Sequence, residues 1–124
     1  MSILCLIVVS TKAQQYRIVA DTVFIQDTIK YVRGQYVYLN EGTADNKSFN
    51  YIFTNPASLA GYIKIGSGYA FTHLRIKDFQ EYSSKKLGSR VYLKLAGGNL
   101  VNYYCDVYPA LRSGEIEANS HEKQ

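Results

Sequence analysis

Residues 89–107 read SRVYLKLAGGNLVNYYCDV, and the two-residue rhythm of this stretch decides the fold. In the first arm Val91, Leu93 and Leu95 fall on one face, with Arg90, Tyr92 and Lys94 on the other. The second arm groups Val101, Tyr103, Cys105 and Val107, opposite Asn102, Tyr104 and Asp106. Alternation of this kind is the signature of a half-buried strand. Two such arms around Gly97-Gly98-Asn99 make a hairpin.

The register follows from the faces, because opposed residues of an antiparallel pair share a side. A two-residue Gly97-Gly98 turn would set Leu93 against Asn102 and mix the faces. A three-residue Gly97-Gly98-Asn99 loop pairs Leu95 with Val101, Leu93 with Tyr103 and Val91 with Cys105. On the outer face it pairs Arg90 with Asp106, Tyr92 with Tyr104 and Lys94 with Asn102. The three-residue loop is therefore expected, with Cys105 inward as an inert core thiol.

Weaker strand signals flank this hairpin. YRIVADTVFI (16–25) reads as an N-terminal strand. YVRGQYVYLNEG (31–42) reads as a strand with a bulge near Gly34, where the alternation changes phase. Beyond it Val37 and Leu39 face one way, Tyr36 and Tyr38 the other. SFNYIFT (48–54) is a short aromatic strand ended by Asn55-Pro56. YIKI (62–65) points Ile63 and Ile65 inward before GSG turns the chain. AFTHLRIKDF (70–79) places Leu74 and Ile76 inward, with His73, Arg75 and Lys77 outward. Pro109 suits a first helical position and Gly114 the residue past a helix end, predicting one short turn over 109–113. Residues 117–124 are polar and read as a flexible tail.

The expected fold is thus all-β: a small antiparallel barrel or sandwich of about five to seven strands with one short C-terminal helical turn. The VRGQYVYL opening and the single late turn resemble an SH3-like barrel over residues 29–116. That resemblance is architectural, carries no diagnostic motif, and implies a binding module rather than a catalyst.

The N-terminus bears on compartment. Ile3 to Val9 is aliphatic, too short for a spanning helix of about 20 residues and long enough for the core of a secretory leader. Thr11 and Ala13 set small residues before a cut that would leave Gln14 first. Residues 1–13 read as a signal peptide, 14–116 as one β domain. No basic residue precedes the apolar run, so the amine or an upstream start would supply the charge. The competing reading keeps residues 1–13 as a buried strand. Cleavage removes Cys5 and leaves Cys105 alone. It also removes Lys12, taking the net charge from +4 to +3, well short of a nucleic-acid tail.

No constellation marks catalysis. His73 is turned away from Cys105, and His121 falls in the tail. Zinc would need about four Cys or His ligands, and no metal spacing is present. EGTADNKS (41–48) lacks the ordered alternation of a calcium loop and reads as a solvated turn. The acids are scattered, with Asp106 explained by Arg90 across the hairpin. GSG lacks the residues of a phosphate loop. What remains is surface aromatics beside bases. Twelve Tyr, five Phe and no Trp favour strands and contact surfaces. Tyr92 and Tyr104 with Arg90 and Lys94 form one candidate binding stripe. His73, Arg75 and Lys77 form a second.

These readings predict a non-catalytic exported module, periplasmic or extracellular, contacting a protein or glycan of a bacterial cell envelope. No cofactor, metal or transmembrane segment is implied, and nucleic acid is a poor partner for an exported chain. Exposed hairpin edges would allow pairing with a second copy or a larger assembly. The alternative is a cytoplasmic barrel that binds single-stranded nucleic acid, with residues 1–13 retained.

Overall fold

A computed structural model describes residues 16–54, 64–84, 88–97 and 101–122. The expected leader over residues 1–13, Pro56 and Ile63 lie outside these. Two open antiparallel sheets and one C-terminal helix make up the described chain, so the class is all-β and sandwich-like, without barrel closure. The first sheet is a meander of β1 (Tyr16–Val19), β2 (Thr22–Ile25) and β3 (Ile29–Val32). The second contains β4 (Tyr36–Tyr38), β5 (Ile52–Phe53), β6 (His73–Ser84), β7 (Gly88–Ala96) and β8 (Asn102–Asp106), in the order β4-β6-β7-β8-β5. Helix α1 (Val107–Ser113) follows β8 directly.

Among the described residues eight strands exceed the expected range, and two local features explain the excess. YRIVADTVFI is a hairpin rather than one strand. Ala20 takes φ 54 at its turn, and Ile18 lies opposite Val23. Gly34 is not a bulge. With φ 94 it turns the chain out of the first sheet and into the second, and its N–H is spent on the Ile76 carbonyl at 2.8 Å. A bulge does occur later, between Ile76 and Asp78, where β6 shifts register against β7.

One core joins the two sheets. Val23, Ile25 and Tyr31 from the first pack with Val37, Leu39, Ile76, Leu93, Leu95 and Cys105 from the second, closed by Val107, Ala110 and Ile116. Cys105 is fully buried, and burial pushes its thiol well above the ordinary range. Tyr31 is buried too. Its hydroxyl donates to the Glu117 carbonyl at 2.8 Å, and burial drives its phenol far above the usual value.

The β7–β8 hairpin keeps the expected faces but not the expected pairs. Leu93 lies opposite Cys105, Leu95 opposite Tyr103, and Tyr92 opposite Asp106. The ladder extends to Gly97, whose N–H donates to the Val101 carbonyl at 2.8 Å. Gly97 therefore belongs to the strand end, and the connection begins one residue later than predicted. The register moves by two residues, so side-chain parity survives. A Cβ on Gly97 would lie 2.6 Å from the Tyr103 ring, which is why a glycine stands there. Val101, expected inward, is exposed at the hairpin tip.

The helix starts two residues earlier than predicted, at Val107, with Pro109 inside its first turn. Gly114 ends it as expected, in the left-handed region with φ 90, donating back to Ala110 and Leu111.

The polar end, expected to fray, is stitched to both sheets as far as Glu122. Asn119 accepts from the Lys30 N–H at 2.9 Å, and the Ser120 hydroxyl from the Val32 N–H at 2.8 Å. His121 exchanges backbone hydrogen bonds with Tyr36 at 2.8 and 2.9 Å. The edges of β3 and β4 carry backbone groups that need partners, and this segment supplies them.

Candidate functional site

Alternation turns Arg90, Tyr92 and Lys94 of β7 to the outer face of the five-stranded sheet, as expected. Its cross-strand neighbours arrange them differently. One row runs Gln80, Tyr92, Asp106, and the next runs Asp78, Lys94, Tyr104, Phe53. Tyr104 thus stands opposite Lys94, not Tyr92. Tyr92 is only 9% exposed, because Phe53 and Tyr82 pack edge-on against it at ring distances of 5.7 and 4.9 Å. The wet, stacked tyrosine pair predicted from the sequence is replaced by a covered Tyr92 and a half-buried Tyr104.

Arg90 and Asp106 do meet, diagonally rather than directly across. Arg90 Nη1 lies 3.0 Å from Asp106 Oδ2. Asp106 is 5% exposed, and its other oxygen, Oδ1, is buried without a hydrogen-bond partner among the described residues. Burial raises the Asp106 carboxyl above its ordinary value, against the lowering pull of Arg90. Burial and the nearby Asp106 charge likewise raise the Tyr92 phenol, with Arg90 opposing. Taking a carboxylate out of water costs several kcal/mol unless all its oxygens are matched, and here one is not.

These groups line a pocket of about 340 Å³ whose walls are Asn50, Tyr51, Phe53, Lys64, Arg90, Tyr92 and Asp106. Such a volume sits at the small end of the ~300–1,000 Å³ typical of ligand clefts. Phe53, on β5, is brought beside Tyr104 of β8 by the edge pairing of these strands. Lys64 is exposed, reaches Asn50 Oδ1 at 3.2 Å, and forms an isolated bridge to Phe53. Asn50, Tyr51, Phe53 and Lys64 are site members that sequence reasoning passed over, and Asp106 was read there only as the partner of Arg90. The aromatic run 48–54 was a usable signal for two of them. Their convergence needed the long-range β5–β8 pairing, which no local pattern specifies.

The second predicted stripe does not join this pocket. His73 is exposed and sits beside Tyr36, Tyr38 and His121, at ring distances of 5.6, 6.5 and 5.9 Å. Arg75 lies opposite Tyr36. Lys77 donates to Asn102 Oδ1 at 2.8 Å.

A second feature escaped the sequence reading. Glu115 is fully buried. Its Oε2 accepts from the Thr43 N–H at 3.0 Å, the Thr43 hydroxyl at 2.6 Å and the Asn50 N–H at 2.8 Å. Its Oε1 accepts from the Tyr51 N–H at 3.0 Å. Four donors satisfy one carboxylate, and in doing so they fix the segment that carries Asn50 and Tyr51 into the pocket. Gly42 permits the tight approach, since a Cβ there would lie 2.2 Å from the Ser48 carbonyl oxygen.

Comparison with known proteins finds no matching family model, no matching curated protein and no matching solved structure. Among the described residues no helix is long and apolar enough to cross a membrane.

Proposed function

We propose that this chain is an exported, non-catalytic binding module of a bacterial cell envelope that contacts a protein or glycan through the outer face of its five-stranded sheet. One observation carries the reading. That face holds a pocket with three aromatic walls, two cations, an amide and a buried carboxylate with an unmatched oxygen. Aromatic surfaces with a few convergent polar groups are the common make-up of ligand sites. A sheet that only needed a wet exterior would not place Asp106 and Phe53 in such dry positions there.

The experiment is capture of partners from the envelope fraction, together with a glycan array, using wild type and a Tyr104→Ser, Lys64→Glu double variant. Both positions lie at or beside the pocket and outside the shared core, so circular dichroism should be unchanged while capture falls. Unchanged capture would overturn the reading. Mass spectrometry of the protein made in its own cells tests the compartment: an N-terminus at Gln14 is expected, and retention of residues 1–13 would restore the cytoplasmic alternative.

A further inference from the structure

The pocket has a neighbour. A second depression of about 310 Å³ is lined by Tyr51, Tyr108, Pro109, Arg112 and Ser113. Tyr51 belongs to both, so the two are adjacent along the path from β5 to α1. Each combines aromatic rings with exposed positive charge. Lys64 and the partly exposed Arg90 serve the first, and Arg112, with its guanidinium 5.5 Å over the Tyr108 ring, serves the second. The one acid among these lining residues, Asp106, already shares its Oδ2 with Arg90.

We infer that the paired pockets are consecutive subsites for an acidic glycan, each taking one sugar ring that carries a carboxylate. The inference rests on the outer face being the binding surface. A uronate-type ring presents an apolar C–H face to the aromatic walls. Its carboxylate pairs with Lys64 in one subsite and Arg112 in the other. Its hydroxyls are donors, which is what Asp106 Oδ1 lacks. A rigid ring brings donor and anion together with little ordering cost. An acidic peptide carries its charge on flexible side chains that can only accept, so it matches the cations and leaves Oδ1 dependent on a backbone N–H.

The test is isothermal titration calorimetry of the full domain with three probes: an oligogalacturonate, a neutral galactan oligosaccharide of the same length, and a polyglutamate peptide. The oligogalacturonate should bind, and the neutral sugar should bind about a hundredfold more weakly, the effect of losing two charge-assisted contacts worth about tenfold each. Lys64→Gln and Arg112→Gln change exposed side chains outside the core. Each should weaken the acidic sugar by about tenfold and the neutral one by clearly less. Equal affinity for both sugars would overturn the charge selectivity while leaving the binding-module reading in place. Tighter binding of polyglutamate, or heat from none of the three while the Tyr104→Ser, Lys64→Glu variant still loses envelope capture, would overturn the acidic-glycan assignment and likewise leave that reading in place. Oligogalacturonate binding that ignores both variants would show that it binds elsewhere.

Discussion

At the scale of single residues, two buried carboxylates show how context sets the role of an acid. Glu115 is matched by four donors, three of them backbone N–H groups. Its contribution is structural. Glu115→Ala would remove the acceptor of all four donors, of which Thr43 is exposed and Asn50 and Tyr51 half-buried, so urea denaturation should show a loss of about 2 kcal/mol. A loss under about 1 kcal/mol would mean that the loop does not depend on Glu115. Asp106 is the opposite case, with one oxygen paired and one not. The pairing of Asp106 with Arg90 was legible from the hairpin, whereas its unmatched oxygen and the role of Glu115 were not. Glu115 lies in a polar run just past a helix-ending glycine, and the donors that hold it lie 64 to 72 residues away.

Individual elements show what alternation can and cannot specify. Period-2 patterning fixed which side chains of β7 and β8 face inward, and Val91, Leu93, Leu95, Tyr103 and Cys105 are all buried. It could not fix register, because a slip of two residues keeps every face. In the observed register the missing Cβ of Gly97 makes room for the Tyr103 ring and the Val101 carbonyl. Gly97→Ala should therefore cost about 1–3 kcal/mol by forcing the Tyr103 ring and Val101 carbonyl apart. Gly66→Ala, where an added Cβ meets nothing within 4 Å, should stay within about 0.5 kcal/mol. Equal effects on the thermal midpoint would count against the register. The same limit applies to the C-terminal segment. Its polar composition suggested a free end, yet Asn119 and Ser120 are acceptors that suit an unpaired sheet edge. Exposure along β7 was misjudged for a related reason: Tyr92 does point to the outer face, but Phe53 and Tyr82 come from elements distant in sequence or fixed only by pairing.

For the whole molecule, neutral acids held protonated set the alkaline limit of stability, Cys105, Tyr31 and Tyr16 by burial and Tyr103 first by its hydrogen bond with Tyr69. The Cys105 thiol lies well above its ordinary 9.0, the Tyr31 phenol far above 10.0, and Tyr16 and Tyr103 are pushed up to about 12. Each group holds its proton more tightly folded than unfolded. Between the unfolded and folded values the unfolded state binds fewer protons, so stability falls as pH rises. The loss should begin near pH 9 with Cys105 and steepen above 10 with the tyrosines. Thermal melts from pH 7 to 11 should show a falling midpoint, and Cys105→Ala should remove the earliest part of the fall. A midpoint flat to pH 11 would contradict the burial of Cys105 and Tyr31. Asp106 acts in the acid range with the same sign, because its carboxyl is also raised. Its contribution is greatest below 3.8 and declines as pH climbs through the folded value.

Where contact is made is the claim on which the functional reading turns, and site-specific photo-crosslinking in living cells addresses it without knowing the partner. A benzoylphenylalanine replaces Tyr104 on the outer face, or Val19, which is 48% exposed on the opposite sheet. Adducts from position 104 and none from 19 are the expected result. Adducts from 19 alone would place the contact on the three-stranded sheet and refute a binding face built around Arg90, Tyr92, Tyr104 and Asp106.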